Sequence, residues 1–440
     1  MAKVLSSPTH DMPNTADVIV IGGGPAGTAA LWAIERAAPG TSTVLIEQRD
    51  TLGAGSSVAS LECYRSCWPA PCIARQMARS IEVFDHADDY LGDGAAQALA
   101  VRRHGYLFCG FTQRQADTLK HEVDHLHRLD LTHVEYLDQD EVAYRFPWLE
   151  RTVVAAKYDP HAGSLDSNGL IHQFVRHTPS ATVLLNSGEV RVQSNGNRVL
   201  GVTTRWGQIA APTVVLAAGA GTRALGQTLG IDVPIILRPR QSFTTAWRHD
   251  PFPANSPLII GAAPFPHVRP EARSGAIFGW EYQWHAKHIK PTTDDCGPDA
   301  LRNPVYPVET LKDLRFPSVT LLLLARQFGH TGGNGFADPR YLRGITHNIG
   351  YYVYRDATTA YITHADGTRT PYTSERAIID AYPGVDGLFI STAHSGHGVM
   401  TSPAAGEILA CKVLGRELPD PLFDQFGIDV PWAQHDENAL

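Results

Sequence analysis

Short apolar runs separated by glycine-rich turns recur along the chain, and their lengths suit buried strands. Asp17-Val-Ile-Val-Ile21 sets four apolar residues in an unbroken row before a glycine turn, the pattern of a strand covered on both faces. The stretch from Thr28 to Ala38 is alanine-rich and reads as a helix that Pro39-Gly40 ends, and Val44-Leu-Ile46 forms a second apolar strand stopping at Glu47. Thr213-Val-Val-Leu-Ala217 is a further buried strand and runs into the small residues Ala218, Gly219 and Gly221. Gly387-Leu-Phe-Ile starts the last strand, followed by a glycine loop and a helix from Pro403 to Leu414. Pro403 falls near that helix's first turn, where its missing N–H costs nothing.

Between these runs the pattern changes. Ile73 to Phe84 is helix-like, Tyr106-Leu-Phe108 a short strand, Gln113 to Leu129 a charged amphipathic helix, and Glu135 to Trp148 turns into a proline-bearing loop. Ala181–Leu185, Val190–Val192, Val199–Arg205 and Thr213–Ala217 are β-rich with Gly and Asn breaks, which predicts a meander. From Pro234 to about Thr370 the chain is aromatic, proline-rich and irregular, with strand-like parts at Phe278–His285 and Gly350–Arg355. That composition suits a sheet whose face lines a ligand pocket. The class is therefore α/β, with an α+β second part. Met1 to Ala16 and Gln434 to Leu440 read as mobile tails.

At 440 residues the chain can bury a large core and predicts two domains. A formal charge of −8 argues against general affinity for nucleic acid or an anionic membrane. The uncharged stretch Gly387–Gly406 contains two histidines, a glycine loop and a proline, so it is not a membrane span. Met1 to Ala16 lacks the apolar core of a secretory signal. Six cysteines in a chain of this size do not make a disulfide scaffold. Cys63, Cys67 and Cys72 cluster without a zinc spacing, and they read as small buried residues in a reducing cytoplasm, with a flavin-linked or redox-active thiol as the alternative. No metal site is expected.

The first strand, its turn and its helix carry the chemistry. Gly22, Gly24 and Gly27 fill a G-x-G-x-x-G turn, with Pro25 and Ala26 between them. In such a turn the first glycine allows the tight bend, the second lets a pyrophosphate approach the backbone, and the third packs helix on strand. The helix N-terminus then offers free N–H groups and a positive dipole end to the phosphates. Glu47, about twenty residues past Gly27, is placed to accept hydrogen bonds from a ribose. An adenine dinucleotide is the expected ligand.

Four segments in order resemble the D-amino acid oxidase superfamily, in its sarcosine oxidase and dimethylglycine dehydrogenase branch. They are Gly22–Gly27 with Glu47, Tyr158-Asp-Pro-x-x-Gly163-x-x-Asp166, Ala217-Ala-Gly219, and Ser395-Gly-His-Gly398 followed by Pro403-Ala-Ala-Gly-Glu407. The resemblance covers roughly residues 16 to 420. It implies a discontinuous Rossmann-like FAD-binding domain of the glutathione reductase type, from residues 16–100, 152–230 and 370–425. It also implies an antiparallel-sheet substrate domain from 101–151 and 231–369, with tails at 1–15 and 426–440. Implied FAD contacts include Gln48, Ser56, Ser57, Val190, Ala218, Gly219, Gly396, His397, Gly398, Val399 and Met400. The implied reaction is oxidation of a C–N bond in a small amine or amino acid, with O2 as acceptor and hydrogen peroxide as product. A protein electron acceptor is the alternative.

This chain also departs from that pattern. Relatives that oxidise sarcosine carry a lysine where Met400 stands, and His394 replaces the aromatic residue that usually precedes Ser-Gly-His-Gly. Tyr352 or Val353 occupies the place of a cysteine joined to flavin, so attachment there is not expected. Arg65, Arg240, Arg326 and Arg355 are candidates to replace the missing cation, Arg65 first, since a guanidinium can hold a carboxylate through two hydrogen bonds. Glu281 and Tyr282 are candidates for binding an amine, His394 for handling a proton, and Trp280, Trp284, Tyr351 and Tyr354 for an aromatic cage. Lys287 and Lys290 stand near the region of the family's oxygen-activating lysine. Gly24-Pro-Ala-Gly27 also occurs in NAD(P)H-using monooxygenases and reductases, and a non-catalytic flavoprotein subunit is a further reading.

Overall fold

The computed structural model describes residues 1–149, 152–280, 301–329, 338–356, 361–363, 369–371 and 375–433. The apolar runs assemble into a seven-stranded sheet in the order Lys3–Leu5, Ala181–Leu184, Thr43–Ile46, Val18–Ile21, Thr213–Leu216, Leu388–Thr392, Ile378–Ala381. Every pairing is parallel except the last. Both faces are covered, which is why these strands read as continuous apolar runs. Val18, Val20, Leu45, Val183 and Val215 turn towards one side and pack with the helices Pro25–Ala37 and Pro71–Asp85. Ile19, Ile21, Val44, Ile46, Val214 and Leu216 turn to the other and pack on Val192, Val202 and Ile209. Gly406 of the helix Ser402–Val413 lies so close to the helix Pro25–Ala37 that an added Cβ would stand 2.4 Å from the Ala29 carbonyl oxygen.

An eight-stranded sheet forms the second layer, in the order Thr346–Arg355, Ile235–Thr245, Gly275–Gly279, His267–Glu271, Leu258–Ile260, Tyr106–Gly110, Ala155–Asp159, Glu135–Asp138. Its pairings are antiparallel except that between Leu258–Ile260 and Tyr106–Gly110. Its longest pairing runs from Ile235↔Arg355 to Thr244↔Thr346.

Four sequence expectations differ from this architecture. The meander is confined to Arg191–Asn195, Arg198–Thr204 and Gly207–Ala210; Ala181–Leu184 and Thr213–Leu216 are parallel strands, because both of their faces find apolar cover. Ala155–Asp159, assigned with the cofactor unit, pairs within the eight-stranded sheet. Lys3–Leu5, read as tail, pairs with Ala181–Leu184 as an edge strand. At the other end, Phe426 and Ile428 are buried and the carbonyls of residues 426 to 428 accept hydrogen bonds from Arg355.

Arg355 is fully buried and donates to the carbonyls of Arg376, Ala377, Phe426, Gly427 and Ile428 at 2.7–3.2 Å. Burial, then the Arg376 charge, holds its pKa well below the ordinary arginine value. It is therefore a structural staple and not the substrate cation considered above. Arg355→Met should leave several buried carbonyls unmatched and destabilise the protein by about 3 kcal/mol or more, seen as a lowered Tm in thermal unfolding followed by circular dichroism.

Candidate active site

Four adjacent parallel strands deliver the cofactor fingerprint to one edge. Val18–Ile21 leads into Gly22–Gly27, Thr43–Ile46 into Glu47, Thr213–Leu216 into Ala217–Gly221, and Leu388–Thr392 into Ala393–Met400. Open α/β sheets bind ligands outside these carboxyl ends. Gly22 has φ 119°, and a Cβ there would meet the Ala217 carbonyl oxygen at 2.4 Å. A Cβ on Gly27 would meet the Gly22 carbonyl oxygen at 1.9 Å. Gly24 and Gly219 are different: nothing lies within 4 Å of an added Cβ at either. Two glycines thus keep the turn closed, and two face open space where a group can press on the backbone. Pro25 and Ala26 open the helix beyond Gly24.

Glu47 is held in place. Its carboxylate accepts from Gly23 N at 2.8 Å and Arg49 N at 2.9 Å. Gln48 is exposed beside it, and the chain carrying buried Val190 is tied there through Ser187 N to the Glu47 carbonyl at 3.0 Å. Ser56 and Ser57 lie in a short helical turn that the Ser56 hydroxyl joins to the second sheet by accepting from Tyr351 N at 3.0 Å. This collection of open glycine backbone, helix N-terminus and fixed acid fits the pyrophosphate and ribose of a dinucleotide.

The loop after Leu388–Thr392 bends sharply, with Ala393 at φ 58° and Ser395 at φ 45°. Such left-handed conformations are strained for residues with a Cβ and persist only where their surroundings impose them. Here Ser395 N donates to the Val353 carbonyl at 2.8 Å. The Tyr352 ring covers Gly396 so closely that an added Cβ would lie 2.7 Å from it. His394 is half-buried; its Nε2 lies 3.1 Å from Ser391 Oγ, and its buried Nδ1 has no hydrogen-bond partner among the described residues. Burial, with His397 nearby, pushes its pKa down to about 4, so it is neutral near pH 7. His397 stands between Ser395 Oγ, 3.2 Å from its Nδ1, and Glu375, 3.3 Å from its Nε2. Burial works to raise Glu375, but the His397 hydrogen bond and charge, then Arg65 and Arg240, outweigh it and leave the carboxyl below its ordinary range.

Arg65 faces the same loop. It is 4% exposed, and its Nε is buried without a hydrogen-bond partner among the described residues. Its guanidinium carbon lies 3.9 Å from the Trp68 ring centre and 5.5 Å from that of Phe108. Trp68 in turn meets the His397 ring edge-on at 4.1 Å. Fully buried Asp159 sets this loop by accepting from Ser66 N at 2.7 Å and Cys67 N at 3.0 Å, and from Ser66 Oγ at 2.9 Å. Lys157 lies beyond, 4.3 Å from the Phe108 ring and paired with Glu122 at 2.5 Å.

Other expected site residues are placed elsewhere. Tyr354 shares a strand face with Tyr352, 6.3 Å away, and lies beneath Arg238 at 4.9 Å. Val399 and Met400 are buried in the helix-side core. Trp280 belongs to the core of the second sheet, and Tyr351 packs behind the seven-stranded sheet with its hydroxyl accepting from Val305 N. Arg326 is on an exposed helix turn. Glu281, Tyr282, Trp284, Lys287 and Lys290 lie outside the described residues. Cys63, Cys67 and Cys72 are buried, and burial with Asp159 pushes Cys67 up to about 12, which leaves it an inert thiol. Glu375, Trp68 and Phe108 escaped sequence reading, since no motif marks them and only folding brings them to Arg65. Among the described residues no group of His, Cys, Asp and Glu could hold a metal ion, and no helix is long and apolar enough to cross a membrane.

Residues 17–412 match the model of the FAD dependent oxidoreductase family, and the chain belongs to that family. Human mitochondrial sarcosine dehydrogenase is 25% identical over 241 residues, covering 53% of this chain and 26% of that protein, so this chain spans about a quarter of that relative's length. The crystal structure of L-proline dehydrogenase from P. horikoshii superposes with a TM-score of 0.71 at 21% identity, covering 95% of this chain and 98% of that one. Glycine oxidase from Geobacillus kaustophilus gives a TM-score of 0.69 at 17% identity, covering 94% and 98%. These structures share the fold of this chain, a mixed α/β arrangement with a parallel sheet.

The open space above Gly24 makes a sharp test. The Cβ of Gly24→Val meets no protein atom within 4 Å, and the φ of −83° there suits any residue. The variant should fold with wild-type circular dichroism and Tm of the apoprotein, yet purify without the flavin absorbance. A fully yellow variant would contradict this placement of the dinucleotide.

Proposed function

We propose that this FAD-dependent oxidoreductase oxidises a small amino or imino acid at the carbon bearing nitrogen, leaving an imine that water hydrolyses. Oxygen is the proposed electron acceptor, with hydrogen peroxide as its product. Gly22, Gly24, Pro25, Ala26, Gly27, Glu47, Gln48, Ser56, Ser57, Val190, Ala218, Gly219, Gly396, His397 and Gly398 are the proposed FAD contacts. When bound, the flavin supplies the acceptor for the hydride. The protein's own residues bind and orient the substrate, and its buried aromatic walls keep water away from the reacting carbon.

Arg65 is the observation that carries the reading. A buried guanidinium with a donor left without a partner is costly. It becomes useful where an anion arrives to complete it, and a carboxylate matches its planar fork. The Trp68 and Phe108 rings lie 3.9 Å and 5.5 Å from the guanidinium carbon, so little side-chain freedom is lost on binding. The position is also right, since Trp68 joins Arg65 to His397 in the loop that follows the fourth cofactor strand. Similar proteins are named for sarcosine, L-proline and glycine, all small amino acids with a free carboxylate. Two of those three are named dehydrogenases, which favours as the second reading a protein electron acceptor in place of oxygen.

Anaerobic bleaching of the flavin across a panel of primary, secondary and cyclic amino acids, with their decarboxylated amines, tests the class. Amino acids should bleach it and the plain amines should not. Arg65→Ala should retain flavin while affinity for the best amino acid falls by roughly 3 kcal/mol, the upper range for a charge-assisted hydrogen bond. Arg65→Lys should restore only part, because a point charge does not reproduce the fork. Unchanged kinetics in Arg65→Ala would show the arginine to be structural.

A further inference from the structure

We infer that Glu375, backed by His397, receives the substrate's amino group opposite Arg65 and accepts the proton the ammonium must lose before oxidation. This rests on the amino acid reading above and extends it to how a zwitterion is told from a plain amine. Amino acids carry their nitrogen protonated near neutral pH, and a protonated nitrogen has no lone pair to assist departure of hydride from the neighbouring carbon. A base must therefore stand at the nitrogen.

Glu375 meets the geometric requirements. Its Oε2 lies 3.3 Å from His397 Nε2, and His397 belongs to the same loop as Gly396 and Gly398. The Glu375 side chain keeps 29% of its surface open, whereas His397 behind it keeps 11%. The carboxylate is thus the accessible member of the pair and the imidazole its support, held on its other side by Ser395 Oγ at 3.2 Å. Trp68 touches both His397 and Arg65, so a single indole separates the proposed amine end of the site from its carboxylate end.

The surrounding charges couple the two ends. Glu375 faces His397 from the loop Ala393–Met400, Arg65 from the loop carrying Trp68, and Arg240 from the strand Ile235–Thr245; His394 stands next to His397. Burial raises the Glu375 pKa, and the His397 hydrogen bond, then the positive charge of Arg65 and Arg240, bring it below the ordinary value. A carboxylate with a lowered pKa is ionised at neutral pH and loses its charge only as pH falls through that lowered value, so it is ready for an ammonium group but a weak base towards it. Binding changes this. A substrate carboxylate on Arg65 cancels one of the positive charges that holds Glu375 ionised, and the Glu375 basicity rises as the ammonium arrives. The ammonium N–H bond then breaks, an O–H bond forms on Glu375, and the amine keeps its electron pair. No oxidant enters this step. A plain amine leaves Arg65 uncancelled and Glu375 a poor base, so it is bound weakly and kept protonated.

The test uses the flavin-loaded protein, anaerobic stopped-flow bleaching by the panel's fastest amino acid, and equilibrium binding of tetrahydrofuran-2-carboxylate. The latter has a carboxylate but no basic nitrogen. In wild type the limiting bleaching rate should be flat in pH below the substrate amine's own pKa. In Glu375→Gln it should fall about 100-fold at pH 7, within the range for loss of a general base. It should also rise in proportion to hydroxide up to that amine pKa, while the tetrahydrofuran-2-carboxylate affinity is not weakened. Glu375→Asp should keep the flat profile at a reduced rate. A Glu375→Gln protein with a flat profile and near wild-type rate, or one that loses the carboxylate probe and the amino acid equally, overturns the inference. So does a colourless Glu375→Gln protein, which would make the residue part of the fold. Failure of every amino acid to bleach wild type would instead sink the broader reading.

Discussion

The site depends on one backbone hydrogen bond between the two sheets, from Ser395 N to the Val353 carbonyl at 2.8 Å. The parallel sheet alone presents open glycines and a fixed acid, which can hold a dinucleotide but recognise nothing else. The antiparallel sheet alone carries Arg240, Tyr352 and Phe108, which have nothing to act on. Where Ser395 meets Val353, Tyr352 is pressed over Gly396, and the strained turn at Ala393–Ser395 is the local cost of the junction. Two residues further along the same strand, Arg355 ties the C-terminal carbonyls to the junction. Both contacts are buried, where a hydrogen bond lost is not recovered from water.

Two kinds of electrostatic design meet there. On the cofactor side the charges are partial and belong to the backbone: glycine N–H groups, a helix N-terminus and the Glu47 carboxylate locked by two amides. On the substrate side they are whole charges at short range, Arg65, Arg240 and Glu375, separated by aromatic rings. Asp159 links them to the core. Its buried carboxylate is spent on the amides of Ser66 and Cys67, so Arg65 is placed by a neighbouring backbone that cannot shift without unpairing it. Trp68 then carries that placement to His397.

Much of the cofactor half was legible in the sequence, because its requirements are local. Gly22 needs a positive φ, Gly27 needs the absence of a Cβ, and Glu47 must end the next strand; each leaves a mark within a few residues. Arg65 was found through its place in a resembled pattern, and its burial against the Trp68 and Phe108 rings supplied the physical reason. The rest of the substrate half was not legible. Glu375 comes from irregular chain just before the strand Ile378–Ala381, with no motif, and it reaches Arg65 across about 300 residues of chain only once both sheets are formed. The misassigned strands have a similar cause. Ala181–Leu184 looks like any short β run, and only the apolar cover on both faces makes it parallel and central.

The most direct test of the account is a crystal structure of the flavin-loaded protein with bound tetrahydrofuran-2-carboxylate. The pyrophosphate should lie against Gly24 and Gly219 and the flavin ring beside the Gly396–Gly398 loop. The carboxylate should be bound by the Arg65 guanidinium. A carboxylate held elsewhere, with Arg65 still stacked and unengaged, would contradict it.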